Sequence, residues 1–353
     1  MTQGTLYAEL HCHSSYSFLD GASPPGEILA EAHRLGYPAL ALTDRNGIYG
    51  SLAFALAAQP LGIQAITGAE VTLSDGSHLI LLAESPHGYT NLCRLLTEAH
   101  LGAERLDPRL PLTAIEARHE GLIILSGSRR DGLLPRTLEN EGLSAARKLV
   151  EECRAVFGAD RFFVEIQRNR VRGDLALSRA LIGLASDVQL GVVATGSVHY
   201  HTRERHRLHD IMVAIRHRTT LDGSHRVRNP NSEFYLRPLE EVVALFHDCP
   251  DAVANTLAIA ERAAAFDLTR DLGYTFPDFR GADRAPAPRV LAELCSARIQ
   301  ERYPPGSLHH AQAKRRLDEE LRLIEHHKLS GFFLVYHDLF DLARDVAADI
   351  RRG

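Results

Sequence analysis

Leu6-Tyr7-Ala8-Glu9-Leu10-His11-Cys12-His13 is a short apolar run that ends in two histidines. Read as a strand, it puts residues two apart on one face, so both imidazoles share a side and Cys12 faces away. Six more runs follow at 39–43, 65–73, 78–83, 122–126, 162–166 and 192–199. Between them lie helix-like stretches near 26–35, 49–58, 89–100, 144–157 and 174–188. Gly36, Gly62, Gly158 and Gly191 close several of these, glycine being the residue that most easily takes the left-handed turn after a helix. Strand–helix alternation at this spacing predicts parallel pairing, in an open α/β sheet or a closed β/α barrel. The polar residues decide between them. His11, His13, Asp44, Arg45, Glu70, Ser126, Ser128, Glu165 and His199 stand at the C-terminal ends of the runs. A barrel delivers such residues to one mouth, whereas an open sheet gathers them at a single switch point. The barrel is the reading adopted.

The 353 residues are 45% apolar and 24% charged, with 40 basic against 45 acidic side chains and a net charge of −5. No apolar run approaches the ~20 residues that span a bilayer. Met1-Thr2-Gln3-Gly4 lacks the basic-then-apolar pattern of a secretory leader. Cys12, Cys93, Cys153, Cys249 and Cys295 have no paired spacing, which argues against a disulfide framework or a cysteine zinc site and fits a reducing cytoplasm. The acidic balance argues against a wholly basic nucleic-acid binder. The stretch 203–228, with Arg205, Arg207, Arg216, Arg218, Arg226 and Arg228, reads equally as a phosphate-contacting patch or as exposed surface. Residues 267–288, with Gly273, Pro277, Gly281, Pro286 and Pro288, read as a linker. Beyond it, 310–327 and 331–350 have helical patterning but offer too few helices for an independent core, as if opening a further domain.

Nineteen histidines, against two methionines and no tryptophan, direct attention to metal ligands. His11 and His13 can reach one cation from a strand, although a bare His-x-His is weak by itself. Four other positions strengthen it. Glu70 ends an apolar run, where a carboxylate needs a charged partner. His78 opens the next run, Ser197-Val198-His199 repeats the alternation, and Asp20 adds a second hard oxygen. Histidines with two carboxylates suit Zn, Mn or Fe, and a shared carboxylate is how clustered metals are held about 3.5–4 Å apart. No Walker loop, dinucleotide fingerprint, nucleophile elbow or His-Glu-x-x-His is present. His309-His310 and His326-His327 read as solvated.

His11-Cys12-His13 with Phe18-Leu19-Asp20-Gly21-Ala22, then Ala41-Leu42-Thr43-Asp44-Arg45-Asn46-Gly47, Gly68-Ala69-Glu70-Val71, His78-Leu79-Ile80-Leu81-Leu82-Ala83 and Val193 to Tyr200 resemble, in order, a PHP domain (polymerase and histidinol phosphatase). Glu233-Phe234-Tyr235-Leu236, Pro250 to Thr256 and Ile259-Ala260-Glu261-Arg262 resemble the C-family bacterial DNA polymerases, the replicative alpha-subunit family. Ser330-Gly331-Phe332-Phe333-Leu334-Val335 resembles the opening of their palm domain. Thr43-Asp44-Arg45, with Tyr89-Thr90-Asn91-Leu92-Cys93, is similar to the error-prone branch.

The resemblance implies a distorted seven-stranded β/α barrel with its extension over 1–266, a linker over 267–288 and the start of an incomplete palm over 289–353. Active PHP domains usually carry nine ligands, of which His11, His13, Asp20, Glu70, His78 and His199 match by position. Arg45 stands where His is usual, Ser128 where His or Cys is, and Ser197 where Asp is. Arg45 cannot ligate a metal, and its fixed charge disfavours a nearby cation. A partial site for Zn, Mn or Fe, or none, is therefore expected, with Glu165 and His201 as candidate replacement ligands. The palm aspartates that would hold Mg lie further on in the family, so this chain alone is not expected to polymerise. The implied setting is cytoplasmic DNA synthesis in damage tolerance, with DNA, deoxynucleoside triphosphates and accessory proteins as partners and no membrane. A metal-dependent phosphoesterase or 3′–5′ exonuclease is the second reading. A non-catalytic interaction module, docking through the tail from Ala311, is the third.

Overall fold

Six strands form one sheet in chain order, β1 (Ala39–Leu42), β2 (Gln64–Thr72), β3 (His78–Ala83), β4 (Leu122–Leu125), β5 (Phe162–Gln167) and β6 (Gly191–Thr195). This computed structural model describes residues 6–102, 107–273, 279 and 285–352. Met1-Thr2-Gln3-Gly4, and Pro277 and Gly281 of the expected linker, lie outside the described residues. β1–β2, β4–β5 and β5–β6 pair in parallel, as alternation with helices requires. β2–β3 and β3–β4 are antiparallel, which corrects the all-parallel expectation. The reason is length. Only residues 73–77 join β2 to β3, enough for a hairpin and far too few for a crossover. The reversal places His78, the first residue of β3, opposite Thr72 and beside the end of β2 that carries Glu70.

The run at 6–13 departs from a regular strand, so the sheet has six strands among the described residues rather than the expected seven. It touches both sheet edges through isolated bridges, Glu9 to Leu40 and Cys12 to Val198. Ala41 N–H donates to Glu9 O and Thr43 N–H to Cys12 O, while His13 N–H donates to Val198 O, each at 2.8 Å. The ladder fails because of Glu9. Its buried carboxylate accepts the N–H of His11 at 2.9 Å and of Gly196 at 2.8 Å, along with the Tyr7 hydroxyl. The facing also changes there. Ala8 and Leu10 pack inside the sheet, whereas Cys12, in phase with them in a regular strand, joins the outer layer.

Two apolar layers result. The inner one combines alternate residues of the strands, such as Ala41, Ile66, Ile80, Leu82, Ile123, Leu125 and Val193, with Ile259, Ala260 and Ala263 of the helix Pro250–Ala263. That helix closes the end where strands begin: Asn255 donates to Val192 O, Gln64 to Ala260 O, and Ala8 N–H to the Thr256 hydroxyl. The outer layer sets Leu40, Leu42, Leu79, Leu81, Ile124 and Val164 against helices that include Ile28, Leu92, Leu95 and Leu181. Strands covered on both faces explain the near-continuous apolar runs.

The chain divides into two units, Met1–Leu272 and Gly273–Gly353. The second contains the helices Ala287–Arg302, His310–His326 and Ser330–Arg352. Among its described residues only Leu291, Ser330 and Leu334 are buried, and Phe333, Tyr336, Leu339, Phe340, Leu342 and Val346 are exposed. No described helix is long and apolar enough to cross a membrane. All five cysteines are free.

Two glycines test the packing. A Cβ on Gly88, in the first turn of Pro86–Leu101, would lie 1.8 Å from the Gly121 carbonyl oxygen. Gly183, within Asp174–Asp187, has nothing within 4 Å of that position. Gly88→Ala should lower stability by about 1–3 kcal/mol through overpacking, and Gly183→Ala should raise it by about 0.5–1 kcal/mol through backbone entropy. Urea unfolding midpoints read both. A Gly88→Ala midpoint at or above that of the unsubstituted chain would contradict the close approach.

Candidate metal centre

The site is assembled by Asp44, just beyond β1. Its buried carboxylate accepts Ser14 N–H at 2.7 Å, the Ser14 hydroxyl at 2.8 Å and the Ser17 hydroxyl at 2.6 Å, which folds the 14–20 loop over the mouth. Gly21 closes that loop so tightly that a Cβ would come within 1.9 Å of Ser14 O. Asp20 is thereby carried to the rim, 7% exposed.

His11, His13 and Glu70 form the first cluster. Nε2 of His11 lies 3.1 Å from Nε2 of His13, and Glu70 Oε2 lies 3.4 and 3.5 Å from them. Partners set the tautomers. His11 Nδ1 faces Glu165 Oε1 at 2.7 Å, and His13 Nδ1 faces the Ser17 hydroxyl oxygen at 3.1 Å, whose own proton is given to Asp44. Both Nδ1 atoms therefore donate, and two Nε2 lone pairs meet beside a carboxylate, an arrangement that demands a positive charge between them. A proton or a metal ion meets it. Burial pulls His11 down, but Glu165 and Glu70 outweigh burial and raise it to about 10, so an incoming metal ion must displace a proton. Burial raises Glu70, yet His78, Arg45 and His13 hold it well below the ordinary carboxylate value. Ligands about 2.0–2.1 Å from a tetrahedral ion stand roughly 3.3 Å apart, close to the observed spacings. The trio fits one divalent ion.

His78 Nε2 is 3.6 Å from Glu70 Oε2, but it already accepts Ser128 N–H at 3.0 Å and contacts the Ser128 hydroxyl at 2.9 Å. Asp20 and His199 belong to a second cluster, with His199 Nδ1 3.4 Å from Asp20 Oδ1. The third member is His209, whose Nε2 is 3.9 Å from the same oxygen. Burial lowers both His199 and His209 from the usual histidine value. The two clusters adjoin, since the His13 and His199 rings stack at 4.7 Å.

Sequence reading passed over His209. It shares the buried face of the helix His206–Arg216 with Val213 and Ala214, and a histidine on an apolar face at that spacing was the available signal. The suggested replacement ligands stand elsewhere. Glu165 lies behind His11 and also accepts from Gln167, while His201 Nδ1 contacts the Ser23 hydroxyl at 2.7 Å and Glu27 at 3.4 Å. Ser197 lines the mouth with a left-handed φ of 47°.

Arg45 lies between the clusters. Its Nε is 2.8 Å from Glu70 Oε1 and an Nη is 3.4 Å from Asp20 Oδ2, where Arg216 adds a second guanidinium at 3.3 Å. Each carboxylate thus gives one oxygen to histidines and the other to Arg45. A cavity of about 220 Å³ opens onto this arrangement, lined by residues that include Ser128, Arg130, Ser197 and Phe234. Several arginines of the basic 203–228 stretch are paired with carboxylates, Arg205 with Glu27, Arg203 with Glu233 and Arg228 with Asp210.

Residues 9–169 match the PHP domain family. An error-prone DNA polymerase of Symbiobacterium thermophilum is 39% identical over 356 residues, covering 96% of this chain and 32% of that protein. Those of Mycobacterium tuberculosis and Pseudomonas aeruginosa are 38% and 35% identical, again over 96% of this chain and 32% and 31% of theirs. Among solved structures, an amidohydrolase from Chromobacterium violaceum is 16% identical with a TM-score of 0.38, covering 55% of this chain and 87% of the other. The chain spans about a third of the length of the polymerases it matches. Residues 9–169 thus match the PHP domain, and the chain over nearly all of its length is similar to about a third of several error-prone DNA polymerases.

Proposed function

We propose that this chain is the PHP-bearing N-terminal region of an error-prone DNA polymerase, in which the barrel serves as a structural platform rather than a hydrolase. The observation that carries this is Arg45 bound to both Glu70 and Asp20. Hydrolytic metal clusters place ions about 3.5–4 Å apart, bridged by a shared ligand. Here neither carboxylate is free to bridge, because the guanidinium holds one oxygen of each. A fixed cation replaces exchangeable ones as the charge that keeps two buried carboxylates ionised.

One ion of Zn, Mn or Fe at His11, His13 and Glu70 completes this reading, with Glu165 and Ser17 orienting the imidazoles. Such an ion would supply positive charge to polarise a bound oxyanion. The 6–13 segment acts as the seventh stave, and the helices after residue 286 begin the palm. The activity served is cytoplasmic DNA synthesis across damaged template, with DNA, deoxynucleoside triphosphates, Mg and accessory proteins engaged by the full polymerase.

Elemental analysis of the purified chain should find about one equivalent of metal, lost in His11→Ala/His13→Ala. The chain should release no nucleotide from 3′-labelled single-stranded DNA with Mn or Zn. Release that disappears in the double variant would favour the phosphoesterase or exonuclease reading instead.

Arg45→Ala provides a second test. Removing one partner of a buried pair costs about 3–5 kcal/mol. Arg45 is a third exposed, so about 2–3 kcal/mol is expected in chelator, with part of it recovered on adding Zn or Mn. An unchanged unfolding midpoint in chelator would remove the case for a structural cation.

A further inference from the structure

The helix Ser330–Arg352 leaves its apolar side uncovered. Tyr336, Leu339, Phe340, Val346 and Ile350 are 48, 58, 60, 50 and 74% exposed, and Ala343 and Ala347 between them are exposed too. These positions follow the three-and-four spacing of a single helical stripe. The less exposed positions past the first turn, Leu334, His337, Asp341 and Ala348, fall on the opposite side. An amphipathic helix ordinarily does the reverse, burying the apolar stripe and exposing the charged one. With the flanking Phe333 and Leu342, the stripe leaves on the order of 800 Å² uncovered, about what each partner gives to an interface of standard size. A monomer rarely carries so large an apolar patch.

The order of the side chains marks the occupant. About Ala343 the stripe is palindromic, with Leu339 and Phe340 on one side matched by Ala347 and Val346 on the other, and Tyr336 by Ile350. A second copy laid antiparallel, with the two-fold axis at Ala343, therefore sets Tyr336 against Ile350, Phe340 against Val346 and Leu339 against Ala347. Ala343 meets itself at the closest approach. A two-fold contact requires a patch that complements itself in this way, and large side chains opposite small ones interdigitate. Asp338, Asp341, Asp345 and Asp349 all fall outside the stripe, so the pairing buries no carboxylate. We propose that this face is the contact between two copies of the chain, paired antiparallel through Ser330–Arg352. Pairing supplies the core that this unit lacks, since only Leu291, Ser330 and Leu334 are buried among its described residues. No residue of the contact belongs to the metal centre.

Sedimentation velocity and light scattering on the purified full chain, from about 1 to 100 µM, test this. Twice the chain mass is expected at the upper end, falling toward the single mass on dilution. Ala343→Arg sets two guanidinium groups together on the axis and should weaken pairing by about a hundredfold or more, with helix content unchanged by circular dichroism. Leu339→Glu should also dissociate the pair, and Leu339→Glu/Ala347→Arg should restore part of it. Those two positions are too far apart to form an ion pair on one helix, so recovery reads contact across the two copies. An unsubstituted chain that stays single at about 100 µM would overturn the proposal and favour a different polypeptide as the cover of this face. A dimer untouched by Ala343→Arg would overturn it equally by placing the contact elsewhere. Dissociation in Leu339→Glu with no recovery in the double variant would reject the antiparallel register.

Discussion

A buried carboxylate stays ionised only if positive charge or hydrogen-bond donors are brought to it, and Glu70 has this done from three separate stretches of chain. His11 and His13 come from the segment that bridges the sheet edges, Arg45 from beyond β1 and His78 from the start of β3. The mouth is organised around this demand. The β2–β3 hairpin sets His78 next to Glu70, and the Asp44 hydrogen bonds that fold the 14–20 loop also seat Ser17 under His13 and under the Arg45 backbone.

Glu9 performs a comparable task one layer down. Burial raises it to about 7 against the opposing pull of bonds from the His11 and Gly196 backbone and from Tyr7. By taking amides that a ladder would use, it breaks strand regularity where the chain passes from apolar filling to ligand-bearing mouth. Local breaks of this kind re-aim side chains near functional sites. Two histidines reach the mouth from a segment whose preceding alternate residues, Ala8 and Leu10, fill the interior.

Arg45 gives the site its character. A metal ion and a guanidinium can each neutralise buried carboxylates, but only the ion offers open coordination positions to a substrate oxygen. The guanidinium is tethered, cannot be deprotonated in a protein and presents donors in a fixed fork. Spanning Glu70 and Asp20, it ties the β2 end of the mouth to the 14–20 loop without recourse to the metal supply. The histidines that remain keep the geometry of ligands on either side of it.

Much of this was legible in the sequence because it is local. Strand–helix alternation, the His-x-His spacing, a carboxylate closing an apolar run and an arginine following Thr43-Asp44 are properties of a few adjacent residues, and backbone periodicity converts them directly into faces and ends. Even the antiparallel hairpin was implicit in the short gap between 73 and 78. What only the tertiary structure decided are pairings across long stretches of chain. Glu165 lies behind His11 rather than at the mouth, His78 is committed to Ser128, His209 arrives from a helix after the last strand, and Arg45 divides its charge between Glu70 and Asp20. Periodicity says which way a side chain faces along its own element. Which atoms share a buried charge depends on where the curled sheet brings the other elements, and that follows from packing the whole domain.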